Sequence, residues 1–151
     1  MPSRQTHVKI GVLGGCGFAA YRSCEQDLPN MLLETIGGGI GGYIGSRLPD
    51  IIEPALWPGH RQFAHSVAAG SGVAYSLYKL LEEWERGCRS RAEYYNDKRN
   101  EEFAGWLQKL LYAVLEIFFH IVAGGLCGLG AGYISHLVLD GRTPKGLPVF
   151  Q

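Results

Sequence analysis

Residues 124–140 read GGLCGLGAGYISHLVLD, and this stretch decides the fold class that we predict for the whole chain. Gly124, Gly128 and Gly132 recur every four residues, so in a helix they lie on one face. Glycine on a helix face lets a neighbouring backbone approach closely, as in the small-xxx-small contacts of membrane helices. Each glycine destabilises a soluble helix by about 1 kcal/mol relative to alanine. We therefore expect that close helix packing is the reason why glycine occupies these positions.

A second glycine series precedes the first along the chain. Gly37, Gly41 and Gly45 have the same spacing and predict a second close-packing face. Flexible, glycine-rich helix ends are the alternative interpretation of both series.

The remaining sequence favours helices throughout. No segment alternates apolar and polar residues with period two, so we predict an all-α fold of about four helices in a single domain, residues 1–151. The helices are predicted at residues 7–22, 31–47, 60–81 and 100–140. Three prolines between residues 49 and 58 predict an irregular loop, and the polar residues 82–100 predict an exposed extension between helices three and four.

The longest apolar stretch indicates a membrane protein. Residues 112–139 contain Glu116, His120 and His136 as their only strongly polar side chains, and about 20 apolar residues suffice to span a bilayer. Fourteen basic residues balance fourteen acidic ones, which excludes the basic excess of a nucleic-acid-binding protein. We therefore expect membrane lipids, and no nucleic acid, as partners. The glycine series also predict a homo-oligomer associated through these helices.

Ligand-type side chains follow the glycine series. His136 and Asp140 continue the spacing of Gly128 and Gly132, so an imidazole and a carboxylate share one face at a helix end. Such a pair can bind one metal ion, although a hydrogen bond at a helix end explains the same spacing. Asp50 lies just beyond the helix of the second glycine series, after Pro49, and could be a metal ligand or a capping residue.

Other histidines also occur at predicted helix ends. These are His7, His60 and His65. His120 lies in the middle of a helix, and we expect it to bond to a partner helix. Glu34 and Glu53 could supply a general base near a metal. The sequence contains no C-x-x-C pair, no G-x-S-x-G elbow and no P-loop, which excludes those sites.

Four motifs, in order, resemble a known family. They are Thr6-His7, Leu48-Pro49-Asp50 with Pro54, Gly59-His60-Arg61 with His65-Ser66, and Gly132-Tyr133-Ile134-Ser135-His136 with Asp140, Thr143-Pro144 and Gly146. The chain resembles, over nearly its whole length, the LexA-regulated, inner-membrane-associated metal-dependent hydrolases of bacteria. That family is more distantly similar to zinc-dependent phospholipase C.

The resemblance implies a divalent metal site and a hydrolase. The implied metal positions are His7, Asp50, His60, His65, His136 and Asp140. Arg61 would bind an anionic substrate group or would support a metal ligand from behind. The metal would be Zn²⁺, with Mn²⁺ or Fe²⁺ as alternatives. The substrate would be a phosphoester or a lipid ester at the bacterial inner membrane.

The chain departs from the family pattern in the acidic loop. Ile52 replaces the second aspartate, and Glu53 is the neighbouring acid. The segment beginning at His60 also carries Gln62 for glycine and Ala64 for threonine. Two rival hypotheses stay open at this point. One is a membrane interaction or pore protein that associates through the glycine series, and the other is a soluble protein with a structural metal.

Overall fold

The computed structural model describes residues 4–52 and 67–141, and all of its regular elements there are helices. They are α1 (Arg4–Arg22), α2 (Leu28–Gly45), the short α3 (Leu48–Ile52), α4 (Val67–Asn100) and α5 (Trp106–Gly141). The predicted all-α class is confirmed. α5 lies at the centre, because α1, α2 and α4 each pack along it, and α1 also packs against α2.

The two glycine series face each other across the α2–α5 interface. A Cβ atom on Gly41 would collide with the carbonyl oxygen of Gly125, and one on Gly128 would collide with that of Gly38. All six glycines of the two series are buried. The predicted close approach of backbones is therefore real, but it joins two helices of one chain. These faces are not exposed to a second copy.

A third small-residue face joins α1 to α2. Gly11 and Gly15 on α1 meet Gly42 and Gly38 on α2, again with backbone against backbone. By contrast, a Cβ atom on Gly14 would meet nothing within 4 Å. Only the face of α1 that is turned toward α2 and α5 therefore requires glycine.

α4 packs on α5 and is tied to α1 and α2 by buried ion pairs. The carboxylate of Glu34 on α2 accepts hydrogen bonds from the Arg89 guanidinium at 2.6–3.2 Å and from Gln26 at 2.8 Å. Arg89 also contacts Glu85 at 2.7 Å, and Glu85 accepts two bonds from Arg22 of α1 at 3.2 Å. Because every carboxylate in this network has a basic partner, its burial is compensated.

Replacing Glu34 by glutamine is expected to destabilise the helix bundle. The change leaves Arg89 with one of its two carboxylate partners, and breaking a buried pair costs about 3 kcal/mol. Thermal unfolding in detergent should show the loss. Glu101→Gln is the control, because its pair with Lys98 is exposed, and it should leave the midpoint unchanged. Equal midpoints for both variants would contradict a stabilising role of the network.

α5 is long and apolar enough to cross a membrane. It has 36 residues, and only 28 % of its most apolar 18-residue stretch is buried against the rest of the described structure. The remainder exposes large apolar side chains such as Leu111, Val114 and Phe118, and α2 exposes Ile36 and Ile40. A soluble monomer rarely exposes so continuous an apolar surface, whereas lipid covers it without cost.

Several predicted boundaries differ from the observed ones for local reasons. α2 begins at Leu28, before the predicted Met31, because the Asp27 side chain caps it by accepting from the backbone N–H of Asn30 at 3.1 Å. Leu48–Ile52 is helical despite Pro49, since proline is tolerated in the first turn. α5 begins at Trp106, where Gln108 accepts from the N–H of Gly105.

The segment 82–100 also differs from its prediction. We expected an exposed extension, but it forms the second half of α4, and Glu85, Cys88 and Ala92 are buried on one face. The buried positions recur every three or four residues among exposed charges. Because most residues of this segment are charged, the few buried positions did not reveal from the sequence that it is a helix with a narrow packing face.

Candidate metal centre

Three ligand-type side chains from the two ends of the chain meet at one end of the bundle. His7 of α1 and His136 and Asp140 of α5 are all buried. One donor atom of each lies within 4.8 Å of the others. Asp140 contacts both imidazoles, with its Oδ1 3.5 Å from His7 Nε2 and its Oδ2 3.5 Å from His136 Nε2.

A backbone carbonyl holds His136 in one tautomer. The Nδ1 atom of His136 lies 2.6 Å from the carbonyl oxygen of Ser46 at the end of α2. Since a carbonyl can only accept, Nδ1 must carry the hydrogen, and in the neutral ring Nε2 then presents a lone pair. That lone pair faces Asp140. Metal-binding histidines usually have their other nitrogen held in this manner.

A second carboxylate approaches the same nitrogen from the solvent side. Asp50 Oδ1 lies 3.6 Å from His136 Nε2, and the Asp50 side chain is 55 % exposed. α3 brings it there, because Pro49 starts this short helix directly after the end of α2. We name His7, Asp50, His136 and Asp140 the His/Asp cluster.

The separations of the donor atoms suit a shared ion. Distances of 3.5–3.6 Å between ring nitrogen and carboxylate oxygen exceed the 2.7–3.2 Å of an ordinary N–H···O bond. A tetrahedral zinc ion with bonds of about 2.0–2.1 Å keeps its ligand atoms roughly 3.3 Å apart. The three buried members, two imidazoles and one carboxylate, are also a usual protein donor set for such an ion. The residues present therefore fit a divalent metal.

The glycine faces position this cluster. His136 and Asp140 extend the face of Gly128 and Gly132, and His7 similarly precedes Gly11 and Gly15 at a spacing of four. Because each face holds the backbones in close contact, side chains one turn beyond must converge. We did not identify the series of His7, Gly11 and Gly15 from the sequence, although its regular spacing of four residues could have revealed it.

Comparison with known proteins identifies the family. The YdjM inner membrane protein family model matches residues 1–151, the whole chain. The chain belongs to this family. No curated protein and no solved structure gives a significant match. Membership and the apolar α5 together place this YdjM-family protein in a membrane, as expected. The hydrolase activity and the similarity to phospholipase C stay predictions.

The other predicted site residues of this YdjM-family protein fall into two groups. Glu53, His60, Arg61 and His65 lie outside the described residues. Glu34 is buried far from the His/Asp cluster. Its carboxylate bonds to His120 Nδ1 at 3.1 Å, and His120 lies sixteen residues, or about 24 Å of helix, before His136. The prediction that His120 bonds to a partner helix is confirmed, and Glu34 is too distant to act as a base at the cluster.

Basic side chains surround a small pocket at the same end of the bundle. Arg4 and Lys9 of α1, with Arg47 at the end of α2, line a cavity of about 260 Å³. The Arg47 guanidinium donates to the Tyr43 hydroxyl at 2.6 Å. Three positive charges attract anions toward this end of the bundle.

Proposed function

We propose that this inner-membrane protein is a metal-dependent hydrolase of phosphoesters or lipid esters, with its ion held by the His/Asp cluster. The observation that supports this most strongly is the orientation of His136. Its Nδ1 bonds to the Ser46 carbonyl, so its Nε2 lone pair is directed at two carboxylates. A structural hydrogen bond between His136 and Asp140 alone would need neither Asp50 nor His7.

The chain would contribute ligands, orientation and exclusion of water. When bound, a divalent ion supplies an activated water at neutral pH and polarises the ester. Buried Asp140 faces both imidazoles from the protein side, so the three side chains would bind the ion together. Asp50 is the exposed member, so the substrate would approach from its side. Arg4, Lys9 and Arg47 would raise the local concentration of an anionic substrate.

Sequence-based candidates complete the proposed site. His60 and His65 would add imidazole ligands, Glu53 would act as general base, and Arg61 would bind an anionic group of the substrate. A second ion is compatible with this larger donor set. Zn²⁺ or Fe²⁺ suits the imidazoles, and Mn²⁺ suits the carboxylates.

Turnover of lipid by the purified, metal-loaded protein tests the proposal. We expect the wild type to release product from mixed micelles containing phosphatidylglycerol, measured by mass spectrometry. Asp140→Asn should lower the rate of lipid hydrolysis by more than the 10–100-fold that is typical when a residue behind a metal ligand is changed, because it alters a proposed direct ligand. Asp97→Asn, at an exposed position of α4, is the matched control and should keep full activity.

One further result would reject the proposed site, and another would reject the hydrolase activity. Turnover that survives in Asp140→Asn and in a His65→Ala, His136→Ala double variant would place the chemistry elsewhere. Stoichiometric metal without turnover of any phosphoester or carboxylic ester would instead favour a structural ion, whose removal lowers stability. The pore hypothesis predicts that chelators change neither function nor oligomeric state.

A further inference from the structure

An apolar groove runs along α5 toward the His/Asp cluster. It encloses about 440 Å³ between α1 and α4, with α5 as its floor. Ile10 and Phe18 form the α1 wall and Leu81 belongs to the α4 wall. Ala131 and Ile134 belong to the floor. We name this cavity the α5 groove.

The length and direction of the groove match one leaflet of a bilayer. Its floor extends along α5 from Leu126 to Leu139, a rise of about 20 Å along the helix axis. Half the hydrocarbon core of a membrane is about 15 Å. The groove therefore begins near the middle of the spanning helix and ends at Leu139, directly before Asp140. On α1, Ile10 lies one turn after His7.

The few polar groups of the groove are not available to hold a charged guest along its length. Glu85 lies at the inner end and is bound by Arg22 and Arg89. Glu82, also on α4, lies 3.7 Å from Arg22. Between these acids and the cluster, the lining contains two hydroxyl side chains, those of Tyr133 and of Ser135, and Ser135 donates to the carbonyl of Gly132. A hydrocarbon chain is the occupant that such a wall accepts.

We propose that the α5 groove binds one acyl chain of a membrane phospholipid and so brings the head-group ester of that lipid to the His/Asp cluster. The second part rests on the proposed hydrolase function, whereas binding of the acyl chain does not. The proposal narrows the substrate class to membrane lipids and excludes water-soluble phosphoesters as the preferred substrates.

Photolabelling in bilayers tests the groove. The full-length protein is reconstituted into vesicles of phosphatidylglycerol that carries a diazirine in one acyl chain. After irradiation, labelled peptides are quantified by mass spectrometry. We expect label to concentrate on the groove face of α5, at Ile134 and Val138. Ala131→Phe should reduce that label several-fold, because its ring would fill the groove.

Two further variants keep the test decisive. Gly130→Leu fills the same groove from a position where an added Cβ meets its nearest atom, Leu81 Cδ1, at 3.5 Å, so it should fold if Ala131→Phe does not. Val114→Phe is the control, because Val114 is exposed on α5 outside the groove, and it should leave the label at Ile134 unchanged.

The outcomes separate the groove from the hydrolase. His136→Ala should retain the groove label even if it abolishes turnover, which would support the groove independently of the chemistry. If the wild type carries the groove label but hydrolyses no lipid, the hydrolase proposal is rejected and the acyl-chain proposal is kept. Label spread evenly over exposed positions such as Leu107 and Phe118, and unaffected by both groove variants, would mean annular lipid only and would overturn the proposal.

Discussion

Replacing His136 by alanine is expected to abolish stoichiometric metal binding. His136 is the centre of the His/Asp cluster, since its Nε2 faces Asp140 at 3.5 Å and Asp50 at 3.6 Å. Outer-shell partners of a metal already change affinity by about 10–100-fold, so loss of a direct ligand should exceed that range. Elemental mass spectrometry of protein purified in detergent and reloaded with Zn²⁺ or Mn²⁺ measures the effect.

His120→Ala is a closely matched control for that experiment. It removes a buried histidine from the same helix, but this imidazole bonds to Glu34 at the other half of the bundle. We expect it to lower stability and to leave the metal content intact. Metal lost equally from both variants would indicate general unfolding, and metal retained in His136→Ala would disprove the proposed site.

The pH dependence of metal binding provides a second check on the same site. Imidazole and carboxylate ligands must be deprotonated to bind an ion, so affinity should fall as the pH falls. The loss should be steeper for the wild type than for a His7→Ala variant that retains partial binding, because one fewer imidazole then competes with protons. Identical slopes would argue that His7 is not a ligand.

Replacing Gly128 by alanine is expected to disrupt the α2–α5 interface. The added Cβ would collide with the carbonyl oxygen of Gly38, and backbone cannot move aside as a flexible side chain does. Overpacking a core costs about 1–3 kcal/mol, and we expect the upper end or more here. Gly41→Ala should behave in the same way, since its Cβ meets the carbonyl of Gly125. Thermal unfolding and limited proteolysis in detergent measure the loss.

Gly17→Ala is the control for the packing prediction. It is the same substitution in the neighbouring helix α1, at a position where nothing lies within 4 Å of the added Cβ. Alanine favours a helix by about 1 kcal/mol over glycine, so this variant should be neutral or stabilised. A similar loss in Gly17→Ala and Gly128→Ala would show that helix propensity, and not close packing, governs these positions. Gly128→Ala should also weaken metal binding, because His136 lies two turns beyond it.

Local patterns in the amino-acid sequence are enough to predict the fold class, the membrane location and part of the candidate site. Spacing-four glycines, an apolar stretch and the absence of alternation sufficed for an all-α membrane protein, because helical periodicity is a local property. His136 and Asp140 were identified for the same reason, as members of one helix face. His7 and Asp50 were candidates only because they lie near other polar residues at predicted helix ends and because of the family resemblance. The structure places both beside His136 and Asp140.

Which helix surfaces meet depends on contacts between residues that are far apart in the chain. The two glycine faces could equally have joined two chains, and their mutual contact within one chain follows from how α2 and α5 are placed together. We predicted the polar segment 82–100 to be exposed, because the burial of Glu85 depends on its ion pair with Arg22 of α1, a residue far away in the chain. Likewise, the tautomer of His136 depends on the backbone carbonyl of Ser46, ninety residues away. Because every residue has a backbone carbonyl, the sequence does not show which one accepts this hydrogen bond.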